Sequence, residues 1–167
     1  PAEEYLERAF NYRMTDLQAA IGLIQLKRLP TMVARRRELA AAYTAAFVDV
    51  PGVRCVADPP HGRSNFQSFW IQIGPDYPLD REGLLAHLAE RGISARRGIM
   101  AAHRQPAYAA HPHVPLPVTE RLTDTTIILP LYHQMTESDQ ARVIEAVTET
   151  PQRVMRRDTS PSARIPQ

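Results

Sequence analysis

FNYRMTDLQAAIGLIQLKRL, residues 10–29, is the stretch that organises the rest of the chain. Thr15 followed three residues later by Gln18 is a capping-box pattern, and Asp16 places a negative charge where a helix dipole favours it. From Leu17 to Leu29 the residues are strong helix formers with two apolar stripes. Leu17, Ala20, Ile21 and Ile24 form one; Ala19, Leu23, Leu26 and Leu29 form the other. A helix apolar on two sides is buried on two sides. In a chain of 167 residues, one of those sides is expected to meet another domain or subunit. The polar segment Asn11-Tyr12-Arg13 just before the helix suits an anion, because free backbone N–H groups and the dipole both favour negative charge. Asn11 can donate to a phosphate oxygen and Arg13 can bind one bidentately; the competing reading has Asn11 satisfying a turn and Arg13 pairing with an acid.

Outward from this helix, Pro30 predicts a boundary, with a second helix from Thr31 to about Val48 and Pro51-Gly52 ending it. Val33, Ala40, Tyr43 and Phe47 mark its inner face, and Arg35-Arg36-Arg37 reads as a solvated charge run. Strands are expected at 53–57 and 66–73, the latter with Phe69, Ile71 and Ile73 on one face and Trp70 on the other. Asp80 caps a helix over 81–91, with Leu84, Leu85 and Leu88 inward and Gly92 as its terminator. A strand at 93–100 follows, then a Pro/His/Ala-rich loop with a short helix at 101–117. A helix at 118–125, a buried strand at 127–129 and a helix capped by Thr136 complete the pattern. Helices and strands mix without strict βαβ repetition, so the expected fold is α+β, with helices packed on one face of a small sheet. By this reading 1–14 is a lead-in segment with a short helical stretch at 3–10, 15–150 is one domain, and 151–167, poor in apolar residues, is a disordered tail.

Composition narrows the function. Hydrophobic residues make up 44% and the net charge is only +2, an ordinary globular balance that gives little support to a nucleic-acid partner. Cys55 is the single cysteine, so no internal disulfide forms and a reducing cytoplasm is the expected compartment. No apolar run approaches the roughly 20 residues that span a bilayer. The six histidines, His61, His87, His103, His111, His113 and His133, lack any metal-binding spacing, so no metal is expected. The cationic residues are almost all arginine: Lys27 is the only lysine, and it reads as a solvated helix-face residue.

Three ordered blocks carry a resemblance: FNYRMTDLQAAIGLIQLKRL at 10–29, LLAHLAERGISARRGIMAAHRQPAY at 84–108 and ERLTDTTIILPLYHQMTESDQARVIEAV at 120–147. Together they resemble the C-terminal portion of the DegT/DnrJ/StrS sugar aminotransferases. The resemblance implies the small C-terminal α+β domain of the aspartate-aminotransferase-like fold (PLP type I), following a large PLP-binding domain. It also implies a homodimer with shared active sites, PLP as cofactor, glutamate as amino donor and a nucleotide-linked keto-sugar as acceptor. Carried over, the PLP phosphate contact falls on Asn11, with Arg13 as a second anion contact. The sugar-site loop falls on His103, with Gln105 and Tyr108 beside it. The family's Schiff-base lysine lies in the large domain, and Lys27 does not match its position. The resemblance therefore assigns no catalytic residue to this chain and implies that it is inactive alone. The alternative is a non-catalytic interaction module that dimerises through the 17–29 helix; a weaker one is a nucleic-acid binder using Arg35–Arg37 and the Arg-rich tail.

Overall fold

A computed structural model of the chain describes Arg8, Phe10 and residues 12–150. The expected helical stretch at 3–10 falls almost wholly outside the described residues, and the expected tail at 151–167 falls entirely outside them.

The first helix, α1, runs unbroken from Asp16 to Phe47. Thr15 caps it as a complete capping box: its Oγ1 accepts from the Gln18 backbone N–H at 3.3 Å, and the Gln18 side chain accepts from the Thr15 N–H at 3.0 Å. Pro30 lies inside this helix, so the two expected helices are one. A proline interior to a helix costs about 3 kcal/mol through one missing hydrogen bond and a clash. Here the good helix formers on both sides and the packing of the C-terminal half outweigh that cost. Leu39, Ala40, Tyr43 and Phe47 are buried, whereas residues 20–31 are exposed along their whole length. The two apolar stripes of the N-terminal half are thus uncovered: Leu17, Ile21, Leu23, Ile24, Leu26 and Leu29 are between 48% and 72% exposed.

A four-stranded antiparallel sheet follows, with spatial order β1-β2-β4-β3. Its strands are β1 (Val53–Cys55), β2 (Phe69–Ile73), β3 (Arg96–Arg97) and β4 (Thr126–Leu129). Between them lie α2 (Arg81–Glu90), two 3₁₀ turns (Ala102–Arg104 and Pro106–Tyr108) and α3 (Pro117–Thr125); α4 (Glu137–Thr148) closes the order. Asp80 and Thr136 cap α2 and α4 as expected, and Gly92 takes φ +69° just beyond α2.

Alternation along β2 sorts its side chains. Phe69, Ile71 and Ile73 are buried against Tyr43 and Phe47 of α1, Leu84 and Leu88 of α2, and Val143 and Val147 of α4. Trp70 and Gln72 point to the other face, where Gln72 Nε2 donates to Thr125 Oγ1 of α3 at 3.1 Å. Two buried polar groups fasten the helical layer: Tyr43 donates its hydroxyl to the Pro130 carbonyl at 3.0 Å, and Gln140 donates from Nε2 to the Leu39 carbonyl at 2.7 Å.

The strands are shorter than the sequence pattern suggests. Phe66 adopts φ +47°, a left-handed conformation that a strand cannot contain, so β2 starts at Phe69 rather than Phe66. The expected strand at 93–100 reduces to Arg96–Arg97, an edge pair on β4. The arginine run is the clearest revision. Arg35, Arg36 and Arg37 are half-buried, not a solvated face. Arg35 Nη2 donates to the Met135 carbonyl at 3.2 Å. Arg36 Nη1 donates to the Phe66 and Gln67 carbonyls at 3.3 and 3.2 Å, and Arg37 Nε to the Ser64 carbonyl at 2.9 Å. Arg36 and Arg37 clasp the loop before β2 onto α1, and Arg35 ties α1 to the turn before α4.

Candidate functional site

The sheet face away from the large helices carries α3 and the 98–116 connection, and the candidates His103, Gln105 and Tyr108 lie on that connection. Gly98 sets the approach. Its N–H donates to the Thr126 carbonyl at 2.9 Å, and a Cβ at this position would lie 1.9 Å from Thr126 Oγ1. Only glycine lets the backbone pass this close to β4. The chain then turns through the two 3₁₀ segments and returns as α3, started by Pro117 in its first turn.

His103 sits on the first 3₁₀ turn with its side chain only 10% exposed. Its Nε2 lies 3.1 Å from Glu120 Oε1 in the first turn of α3. The neighbouring Arg104 reaches the same helix, donating from Nη2 to Glu120 Oε2 at 3.1 Å and from Nη1 to both Asp124 oxygens at 2.8 and 2.9 Å. Hydrogen bonds from His103 first, and Arg104 second, hold the Glu120 carboxyl below the usual carboxylate range, so it is ionised at neutral pH. The His113 ring stands 4.7 Å from the His103 ring, centroid to centroid.

The other expected sugar-site residues are less engaged. Gln105 turns its Nε2 back onto the Ala101 carbonyl at 3.2 Å, bracing its own loop. Tyr108 is exposed and lies beside His111, with ring centroids 5.8 Å apart. Arg13 is exposed on the segment before α1, and Asn11 lies outside the described residues. Glu120, Arg104 and Asp124 were missed by the sequence reading. The Arg104–Glu120–Asp124 spacing carries no local signal; only the fold of the 98–116 connection brings the first residue to the other two.

Next to this network is a cleft of about 520 Å³. Trp70 and Ile128 of the sheet form its floor, Met100 and Leu122 are apolar walls, and Asn65 and Thr119 supply polar atoms. Thr119 adjoins Glu120 in α3, so one helix contributes to both the cleft and the imidazole network. An apolar floor with a few convergent polar groups is the general form of a small-molecule site. Among the described residues no group of three or more His, Cys, Asp or Glu is placed to hold a metal ion, and no helix is long and apolar enough to cross a membrane.

Comparison with known proteins gives this geometry a family. The model of the DegT/DnrJ/EryC1/StrS aminotransferase family matches residues 2–148. Among solved structures, the aminotransferase TlmJ from Streptoalloteichus hindustanus is 32% identical, with a TM-score of 0.73 over 81% of this chain. DesV from S. venezuelae, solved with a ketimine intermediate, is 28% identical, with a TM-score of 0.78 over 87% of this chain. DesI, solved in the presence of its TDP-sugar product, is 30% identical, with a TM-score of 0.74 over 81%. The chain spans 36% of the TlmJ chain, 39% of DesV and 35% of DesI. The small α+β domain expected from the sequence is thus a part of the aminotransferase fold, and the chain belongs to the DegT/DnrJ/EryC1/StrS aminotransferase family.

Proposed function

We propose that this chain is the C-terminal part of a PLP-dependent enzyme that moves an amino group from glutamate onto a nucleotide-linked keto-sugar, and that it is inactive by itself. The observation carrying this reading is the likeness to TlmJ, DesV and DesI over little more than a third of their length. The TDP-sugar product in the DesI structure supports the substrate class. In the reading, residues 15–150 are the small domain, the enzyme works in the cytoplasm, and two copies pair through the 17–29 region of α1. The exposed apolar stripes of that region support the pairing.

The described residues do not build a PLP site. A Schiff-base lysine is activated by desolvation or by a cationic neighbour within a pocket, whereas the single lysine, Lys27, stands on the exposed half of α1. PLP would supply the electron sink for amine transfer, and its lysine must come from outside this chain. Asn11 and Arg13 are proposed to reach the phosphate of a partner's cofactor, and His103, Gln105 and Tyr108 to line the sugar subsite.

The test has two arms. The 167-residue chain, supplied with PLP, glutamate and a TDP-linked keto-sugar, is expected to give no amine transfer; turnover would refute the proposal. In an enzyme containing the whole fold, Asn11→Ala is expected to lose PLP faster on dialysis than the parent, and equal retention removes Asn11 from its role. A second reading, a non-catalytic module that associates through α1, is favoured by the same exposed stripes. It predicts association without any cofactor-binding region elsewhere in the polypeptide.

A further inference from the structure

One face of α1 changes chemistry along its length. Leu17, Ile21 and Ile24 are followed, in the same steps of four and three residues, by Arg28, Thr31 and Arg35. The apolar stripe ends at Ile24, and cationic residues begin at Lys27, about 16 Å along the helix axis from Asp16. A cleft of about 530 Å³ lies there. Lys27, Arg28, Thr31 and Arg35 line it from α1, and His133, in the turn before α4, lines it from the other side. Glu38 is the one carboxylate among the lining residues, and Arg35 Nη1 already donates to it at 3.1 Å. Arg35 Nη2 is held by the Met135 carbonyl at 3.2 Å, so this guanidinium is fixed at the cleft. The side chains of Lys27, Arg28, Thr31 and His133 make no hydrogen bond or ion pair among the described residues.

We propose that this cleft binds a dianionic phosphoryl group, free or carried by a small ester. The charge count sets the ligand class. Glu38 offsets Arg35, which leaves the positive charges of Lys27 and Arg28. A phosphate monoester carries about −1.5 to −2 at pH 7 and presents three acceptor oxygens. A carboxylate carries one charge and is satisfied by a single guanidinium fork, leaving the second cation unmatched. Lys27 supplies a point charge and Arg28 a planar fork; the Thr31 hydroxyl, one turn on from Lys27, adds a neutral donor. The volume falls in the range of small-molecule sites, roughly 300–1,000 Å³. A long polyanion is a poorer match, because the net charge of the chain is only +2 and the cations give way to the apolar stripe at Ile24. The site lies outside the 11–13 segment and shares no lining residue with the cleft beside α3, so it does not depend on amine transfer.

Titration of the 167-residue chain with inorganic phosphate and with glucose 6-phosphate, followed by NMR, tests the site. Saturable shifts at Arg28, Thr31, Arg35 and His133 are expected at millimolar ligand, and they should weaken as ionic strength rises because the cations are open to water. Tighter binding of glucose 6-phosphate identifies a phosphate ester as the occupant, and equal binding identifies free phosphate; both support phosphoryl recognition. Lys27→Gln and Arg28→Gln should each weaken binding about tenfold, the loss of one charge-assisted hydrogen bond. Both positions are exposed and glutamine is a good helix former, so α1 should persist, which circular dichroism checks. Arg54→Gln, at an exposed cation on β1 outside the cleft, should leave binding unchanged. Lys27 is the only lysine, so an amine-acylating reagent reads its side chain alone among the side chains, and phosphate should slow that acylation severalfold. The absence of saturable shifts, an acylation rate indifferent to phosphate, or an equal loss of binding in Arg54→Gln, the mark of a general polyanion surface, overturns the site.

Discussion

Leu23→Ala combined with Leu26→Ala probes the uncovered half of α1. These side chains are 62% and 64% exposed, so most of their apolar surface is available to a partner. Each substitution removes the equivalent of about three methylenes, at roughly 0.8 kcal/mol apiece when fully buried. Scaled by the surface still exposed, the loss is about 1.5 kcal/mol per site. A twofold-symmetric interface counts both sites on both chains, which comes to about 6 kcal/mol, or roughly four decades in the dissociation constant. Alanine is the best helix former, so the change should not unwind α1. Sedimentation velocity across a concentration series reads association, and circular dichroism confirms the helix. Wild-type chain is expected to associate at micromolar concentrations and the double variant to sediment as a monomer. A wild-type chain that stays monomeric at hundreds of micromolar, or a variant that associates equally well with its helix intact, would refute the reasoning.

Three further outcomes follow from the packing. His87 is buried on α2, its Nδ1 lies 3.0 Å from Arg91 Nη1, and burial first and Arg91 second hold its pKa below the ordinary value. The unfolded chain therefore takes up this proton at higher pH than the folded one. The His87 contribution should be complete above the ordinary histidine pKa and decline as pH falls below it; urea midpoints from pH 8 to 5 should show the decline, and His87→Leu should flatten it. Gly98→Ala drives a methyl into Thr126 and should cost about 1–3 kcal/mol by overpacking, read as a lower Tm; an unchanged Tm would mean the backbone relaxes freely. Arg36→Ala with Arg37→Ala removes the clasp on the Phe66, Gln67 and Ser64 carbonyls. Hydrogen exchange of residues 64–68 should speed up selectively, and uniform protection would show that the loop holds itself.

Local signals in the sequence were reliable where the chemistry is local. Thr15, Asp80 and Thr136 cap helices because side chain and backbone donor lie three residues apart, a relation visible in the linear order. The burial of Phe69, Ile71 and Ile73 followed from alternation alone. Features set by distant partners were not legible. Arg35–Arg37 looks like a solvated run until the carbonyls at 64–67 and 135 are brought against it. Pro30 looks like a terminator because the sequence states its local cost and hides the length of helix surrounding it. At the candidate site, family resemblance points to the His103 loop as an expectation, whereas the contacts of Arg104 with Glu120 and Asp124 needed the fold that lays α3 beside that loop.

The central claim is that this chain works as the small-domain part of an aminotransferase whose lysine lies elsewhere in the polypeptide. Reading the coding sequence in frame upstream of the Pro1 codon tests it most directly. An open frame encoding a large domain with a lysine in a PLP-site context is expected, because this chain matches only 35–39% of the TlmJ, DesV and DesI chains. A start codon with its ribosome-binding site immediately upstream would contradict it and leave the associating module as the function of the product.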